Sequence, residues 1–514
     1  LDCADAPFIS PPMSTTTDSF SSPTAGAAAA PNAKRLLFAG FMAILAAGVG
    51  FGARGGILDD WGAAFKFTQT DLGTITGGGL TGFGIIILLS ALIADKVGYG
   101  KLLASAFVMH FLSAVVMVGA TPVYKSMVES NPTGAARAAY WMLFIGTFMF
   151  SIGNGLCEAV VNPLTATLFP KNKAHYLNIL HAGWPAGLVL GALFAAVFSG
   201  TSWEVRVAIF LVPVVVYGVV CLGQHFPKSE AASAGVSMGQ MIAQVFAPLL
   251  LLLLIIHAML GYVELGTDSW ISNITGNIVN SKQGGLYLFV YTSMLMFILR
   301  FFAGPIVERI SPLGLLLAGA CCGALGLTLL STAQSLAFVL ISLTIYGFGK
   351  TFLWPTMLAV ASERFPKGGA VVIGAMGGVG MLSAGLLGGP GIGYNQDRAA
   401  SDQLKAAAPA VYDQYKADKP NHFLFFREIT GLDGSKVNPI RKKPADKLEG
   451  DEKLVHDADL HGGRDALKIT AYVPATMAVL YLLMILGFKL RGGYTALHVK
   501  GEEETGGIEG PMQA

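Results

Sequence analysis

The chain has 514 residues, of which 53% are hydrophobic and 13% charged, with a net charge of +2 and a mean hydropathy of +0.59. Soluble domains carry about 25% charged residues, so a string of soluble domains is excluded. With no Lys/Arg-rich patch outside one loop, nucleic acid is excluded as a partner. Apolar runs of about 20 residues recur along the whole chain, which predicts a polytopic helical membrane protein. The alternating strands of an outer-membrane barrel are absent.

In chain order, residues 1–33 are rich in Ser, Thr, Pro and Ala and read as a disordered tail. Because the chain opens on Leu1, Met13 is a candidate start. Twelve apolar segments follow, at 36–58, 73–94, 102–120, 140–169, 175–199, 205–224, 243–265, 286–307, 313–333, 336–361, 369–393 and 469–490. A linker at 226–242 separates two sets of six, giving an N-terminal bundle over 34–225 and a C-terminal bundle over 243–490. Placing the N-terminus inside puts Lys34, Arg35, Lys96, Lys101, Lys171, Lys173, Lys228, Arg309, Arg364, Lys367, Lys489 and Arg491 on the cytoplasmic face. The short loops opposite hold only Lys66, Lys125, Arg137, Arg206 and Lys282. Residues 394–467 are hydrophilic and fall on the periplasmic side; long loops cross regardless of their charge. They are expected to be a partly ordered spacer, with helix-forming composition over 399–417 and an HFLFF stretch at 422–426 able to dock on the membrane or the mouth. Residues 491–514 read as a second disordered tail.

Two internal echoes support the six-plus-six division. SIGNGLCEAVVNPLTATLFPK (151–171) aligns with YGFGKTFLWPTMLAVASERFPKGG (from Tyr346) at a shift of 196, which places Lys350 on Asn154 and Trp354 on Glu158. ALIADKVGYGK (91–101) aligns with GPIVERISPLG (304–314) at a shift of 213, pairing Ala91 with Gly304, Asp95 with Glu308 and Lys96 with Arg309. Acid and base at such a membrane edge are expected to pair or to cap neighbouring helix ends.

The second echo resembles the signature loop of the major facilitator superfamily, roughly G-x-L-a-D-r-x-G-r-k. Asp95, Lys96, Gly98 and Lys101 match, and Ala91 replaces the first Gly. The resemblance covers residues 34–490 and implies an all-α membrane fold of twelve helices in two pseudo-symmetric bundles. Around Glu158 the chain is similar to the fucose–galactose–glucose proton symporters, whose helix 4 reads close to G-x-x-x-E-x-x-x-N-P and whose helix 5 opens L-N-x-x-Q. Here GLCEAVVNP (155–163) is followed by LNILH (177–181), with His181 in place of Gln. The resemblance implies that Glu158 handles a proton or sugar and that Asn162, Asn178 and His181 lie near the path. Those symporters carry a further acid in helix 1, where this chain has Gly55 with Arg54 beside it.

An ionisable side chain at membrane depth is a functional candidate, because lipid contact is costly to charge. The first segment has Arg54, the fourth Glu158, the seventh Glu264 and Asp268, the tenth Lys350. In the major facilitator fold these four helices line the cavity. Two pairings are expected: Arg54 with Glu264 or Asp268 as a periplasmic gate, and Lys350 with Glu158 across the central site. Substrate or proton would shift the balance by breaking a pair. Blander readings stand beside these. Arg54 can snorkel to headgroups, and Asp268 can be a loop residue past a helix end. Trp61 and Trp270 fit the interfacial belt, and His257 fits packing. Trp354, one turn after Lys350, suits stacking on a ligand ring. The Gly-rich runs 77–84 and 374–380 lie inside apolar segments, where close helix packing explains them. Pro185 and Pro355 are placed to break helix hydrogen bonds.

These readings combine into a monomeric inner-membrane secondary transporter that rocks two halves around a central site. Its cargo is expected to be a small polar solute, sugar before sugar acid or other organic anion, with the proton as coupling ion. No cofactor, metal site or enzyme chemistry is expected. A transporter-like nutrient sensor, using residues 394–467 as its partner site, is the rival from another class.

Overall fold

The structure is a computed structural model that describes residues 32–67, 69–418, 420–441 and 443–497. Its spanning helices are α1 (Ala33–Gly55), α2 (Asp71–Val97), α3 (Tyr99–Met127), α4 (Pro132–Leu168), α5 (Pro170–Val197), α6 (Trp203–Cys221), α7 (Pro248–Ile278), α8 (Lys282–Arg300), α9 (Ala303–Ser331), α10 (Leu336–Arg364), α11 (Pro366–Ala407) and α12 (Gly450–Lys489). Eleven are long and apolar enough to cross a bilayer, and the 19-residue α8, closed by Arg300, completes twelve. The protein is a multi-pass helical membrane protein.

Small residues set how closely these helices pack. A methyl added at Gly48 of α1 would stand 2.3 Å from the Trp184 carbonyl oxygen of α5, and one at Gly191 of α5 would stand 2.3 Å from the Val49 carbonyl. The C-terminal half repeats the device between α7 and α11, where a methyl at Gly261 would lie 2.1 Å from the Gly380 carbonyl. Backbone-to-backbone contact of this kind replaces the hydrophobic drive that helices lack in lipid. The halves meet where α2 crosses α11 and α5 crosses α8. At the first crossing a methyl on Gly374 would be 2.2 Å from the Ala91 side chain. Gly98, with φ +92°, makes the tight turn from α2 to α3 in a region that side chains disfavour.

Several boundaries differ from those expected. α7 continues to Ile278, so Asp268 lies within a helix and not in a loop. α8 stops at Arg300 and α9 begins at Ala303, with a break at Ser311 (φ 65°) just before Pro312. Asp95, Lys96, Glu308 and Arg309 form no ion pair among the described residues, and the last three are exposed. The expected edge pairs are therefore absent.

Residues 394–467 are not a spacer. α11 and α12 both run well past the apolar slab and support a folded cap with its own core of Leu404, Val411, Tyr412, Val437, Ile440, Leu448 and Val455. Arg441 clamps Asp459 through Nε and Nη2 at 2.9 and 2.6 Å, and Asp459 also accepts from Asn277 of α7 at 2.8 Å. The linker forms helices at Glu230–Ser233 and Met238–Val245, the latter closed by a Ser237–Gln240 capping box. Residues 491–497 do not follow the expected disorder. Tyr494 donates to the Glu363 carboxylate at 2.6 Å, and the Leu497 N–H donates to the Glu363 carbonyl at 2.8 Å, at the end of α10. The expectations for residues 1–31 and 498–514 lie outside the described residues.

Gly191→Ala is expected to lower unfolding free energy by about 1–3 kcal/mol, because the methyl meets backbone that cannot move aside. Gly73→Ala, where nothing lies within 4 Å, should be neutral or slightly stabilising. Thermal unfolding of the two purified variants in detergent measures the contrast.

Candidate functional site

The site sits at mid-bundle, where α4 and α5 of the N-terminal half face α7, α8 and α10 of the C-terminal half. Glu158 and Asn162 are one turn apart on α4, so they share a face. The Asn162 amide donates both to the Glu158 carboxylate and to its main-chain carbonyl, the latter at 3.1 Å. The Asn162 side-chain oxygen faces His181 Nε2 at 2.8 Å, which makes that nitrogen the protonated one in this arrangement. Glu158, Asn162 and His181 are thus one polar chain.

Two prolines extend this chain across the bundle. A proline removes the N–H that would bond the carbonyl four residues earlier. Pro185 therefore frees the carbonyl of His181 on α5, and Pro355 frees that of Thr351 on α10. Both orphans point at Arg300, the last residue of α8. Its Nη1 donates to the His181 carbonyl and its Nε to the Thr351 carbonyl at 2.9 Å. Its Nη2 reaches Glu264 Oε1 at 3.3 Å, with the two side chains only 1% and 3% exposed. One guanidinium thereby joins the halves, held by a carboxylate and a carbonyl on one side and a carbonyl on the other. Glu264 itself lies in a π-helical turn of α7, Tyr262–Gly266, packed against a second such turn, Ala384–Gly388 of α11. Such turns shift the helix register locally and are frequent at functional sites.

Between the halves lies a cavity of about 20 Å³ lined by Glu158, His181 and Trp184 on one side and Glu264, Arg300 and Trp354 on the other. That volume holds about one water molecule. The indole nitrogens of Trp184 and Trp354, and Glu264 Oε2, are buried without a hydrogen-bond partner. His257 packs its ring 4.6 Å from Trp354, with neither ring nitrogen partnered.

Neither expected charge pair forms. Lys350 is bonded to Asp268 within the C-terminal half, not to Glu158. Lys350 and Asp268 belong to α10 and α7 of one bundle, whereas Glu158 is engaged by Asn162. Arg54 meets neither Glu264 nor Asp268. It is buried beside Phe51 and Phe150, with its guanidinium carbon 4.9 and 5.3 Å from the ring centres. Asn154 faces away from the cavity, where its side-chain oxygen bonds His110 Nε2 at 2.9 Å and His110 Nδ1 meets the Tyr217 hydroxyl at 3.0 Å. Asn178 crosses the interface, its amide 3.3 Å from the Thr356 hydroxyl. Of the loop-motif residues, Gly304 hydrogen-bonds the opposite half, its N–H donating to His175 Nδ1 at 3.2 Å. Arg300 was not among the sequence candidates. It satisfies the criterion applied to the others, an ionisable residue inside a predicted apolar segment, but lies outside the four helices that the fold resemblance brought forward.

Arg300→Met leaves Glu264 buried without its partner and is expected to cost about 3–5 kcal/mol of stability. Adding Glu264→Gln should recover most of the loss, because the uncompensated charge goes with it. Denaturant unfolding of both variants reads the difference.

The comparisons with known proteins agree with this architecture. The profile of the Major Facilitator Superfamily matches residues 36–389. No curated protein sequence matches the chain. Among solved structures, the major facilitator transporter FucP in the outward conformation superimposes with a TM-score of 0.57 at 16% identity, covering 88% of this chain and 98% of its own. A second FucP structure names that protein as the Escherichia coli fucose:proton symporter. The proton:xylose symporter XylE gives a TM-score of 0.60 at 14% identity, over 89% of this chain and 94% of its own. The human organic anion transporter MFSD10 gives 0.56 at 12%, over 88% and 100%. At these identities the structures speak for the fold alone. The family profile spans well over half the chain, and with the twelve helices and the site between two bundles it establishes that the chain belongs to the major facilitator superfamily.

Proposed function

We propose that the protein is a secondary transporter of a small neutral, hydroxylated ring solute, a sugar, coupled to protons and working by alternating access. The reading places it as a monomer in the inner membrane, with both termini cytoplasmic. The observation that carries it is the polar chain Glu158–Asn162–His181, joined through Arg300 to Glu264 across the two halves.

The charge balance of the cavity favours a neutral cargo. Two carboxylates and one guanidinium line it, and Lys350 is already matched by Asp268. An organic anion would meet a surplus of negative charge with no free cation on the lining, which argues against the reading built on Arg54 and Lys350. The lining suits a sugar better once the halves part and enlarge a cavity that here holds about one water. Its C–H faces suit the indoles of Trp184 and Trp354, one from each half, and its hydroxyls can accept from indole N–H and donate to Glu158 and Glu264. Two of the superimposed structures, FucP and XylE, are described as proton symporters of fucose and xylose.

The position of Glu158 supports proton coupling. Ionised, it attracts Arg300 toward α4; protonated, it does not, and Arg300 is left to Glu264 and the two carbonyls. A ligand or proton shifts a two-state balance only by what it gains in one state over the other, and this carboxyl is placed to supply that difference.

Uptake into vesicles reconstituted with the full chain, with and without an imposed pH gradient, tests the reading. Radiolabelled hexoses and pentoses are compared with the matching sugar acids. Gradient-driven accumulation of a neutral sugar is expected, with Glu158→Gln abolishing accumulation while sugar counterflow persists. Accumulation of sugar acids only, or a Glu158→Gln variant that still concentrates its cargo, would overturn it.

A further inference from the structure

We infer that the cap holds a headgroup site for a zwitterionic phospholipid with a primary amine, of the phosphatidylethanolamine type, on the bilayer-facing side of the C-terminal half. Away from the central cavity lies a cleft of about 430 Å³ between α11, α12 and the loop that carries Arg427. Arg398 and Asp402 of α11, Arg427, and His461 and Asp465 of α12 line it. Arg427 is paired with Asp402, while Arg398 stands 3.8 Å from Asp465, too far for a hydrogen bond. These four charged side chains remain 28% to 61% exposed. Two guanidiniums suit a phosphate diester, which they grip through paired N–H groups. Two carboxylates suit an ammonium with three N–H donors. A choline headgroup has no N–H to give them, and a glycerol headgroup brings no cation.

The cleft opens toward the bilayer at headgroup height. Tyr472, Val479, Leu483 and Leu486 of α12 are exposed at helical spacing and form its lipid-facing stripe. Asp465 and His461 continue the same face outward. Counted from Lys489 at about 1.5 Å per residue, about 30 Å of hydrocarbon ends near Ile469. Asp465 then stands roughly 6 Å beyond it, within the headgroup layer. The loop seats itself beside this face. Phe423 packs with Tyr262 of α7 against Gly391 of α11, and the Tyr394 hydroxyl donates to the Arg427 carbonyl at 2.7 Å. Tyr262 prolongs a second lipid-facing stripe, that of Leu251 and Ile255 on α7. From this root a turn at Leu424 (φ 50°) throws Leu424, Phe425 and Phe426 outward, 53%, 86% and 45% exposed. A water-soluble phosphate ester would leave these side chains in water, whereas a lipid covers them with its glycerol and upper acyl chains.

The site is joined to the transport core by one helix. α11 runs from Pro366 to Ala407 and carries both the cleft and the π-helical turn that packs against the turn of Glu264. A lipid held at Arg398 therefore ties this helix to the surrounding leaflet, while making no contact with cargo.

Native mass spectrometry of the detergent-solubilised full chain, offered equal amounts of phosphatidylethanolamine, phosphatidylcholine and phosphatidylglycerol with matched acyl chains, tests the inference. The wild type is expected to retain phosphatidylethanolamine about tenfold over phosphatidylcholine, the equivalent of one charge-assisted hydrogen bond. Arg398→Gln combined with Arg427→Gln loses that preference, and Phe425→Ser lowers retention of the lipid. The three side chains are open to solvent, so the variants keep the circular dichroism of the parent. Equal retention of the ethanolamine and choline lipids by the wild type, a preference for phosphatidylglycerol, or an unchanged preference in the double variant would overturn the site. Displacement of the lipid by an equal concentration of soluble phosphoethanolamine would overturn its assignment to a lipid. Sugar uptake does not enter the readout, so the outcome is independent of the transport reading.

Discussion

A guanidinium removed from water has five N–H donors that fixed groups must satisfy, and Arg300 finds its partners on both halves of the bundle. Two are main-chain carbonyls that would be consumed inside ordinary helices. They are available because Pro185 on α5 and Pro355 on α10 each withhold the N–H that would have closed its helix. The third is Glu264, which supplies the opposite charge. Remove either proline and an acceptor returns to its helix; remove Glu264 and the charge stands uncompensated. The interaction is therefore a joint between halves, made of backbone geometry as much as of side-chain charge.

Around that joint the packing is built to slide without unravelling. Glycines bring α1 against α5 and α7 against α11 to backbone contact, so each half moves as a body. The crossing of α2 with α11 is lined by small side chains at Ala91 and Gly374, which offer little to interlock. Where α5 meets α10 and the start of α9, the halves are further joined by Asn178 with Thr356 and by His175 with Gly304. The linker adds Glu230, paired with Lys173 at 2.9 Å, and residues 494–497 fasten Glu363 and Arg364. Polar contacts of this kind, between fixed backbones, can be exchanged for others at small net cost, which is what alternation between two states requires.

The architecture was legible because membrane helices leave a long-range record: length, apolarity, repeat and loop charge all follow from the bilayer's thickness and its intolerance of bare backbone. The proximity of Glu158 to Asn162 was legible too, since one-turn spacing on α4 fixes it locally; that His181 of α5 bonds Asn162 was not. Partner choice was not. Lys350 prefers Asp268 on an adjacent helix of its own half, and no periodicity encodes which of two acids is nearer. Asn154 and Lys350 align in the repeat yet serve different neighbours, His110 in one half and Asp268 in the other. Arg300 was hidden by position, at the end of a helix outside the four expected to line the cavity. The cap was missed for a different reason: its hydrophilic surface conceals a core of a few apolar residues that only the fold brings together.

The most direct test of the joint is the distance between the halves themselves. Spin labels on Lys101 of α3 and Arg309 of α9, both exposed and on opposite halves, report it by pulsed electron resonance in lipid nanodiscs. Pro185→Ala returns an N–H to compete for the His181 carbonyl while leaving every charge in place, and Arg300→Met removes the donor. Both variants are expected to broaden the distribution and move its weight to longer distances relative to the parent protein. Distributions that coincide with the parent in both variants would contradict the claim that Arg300 holds the halves together.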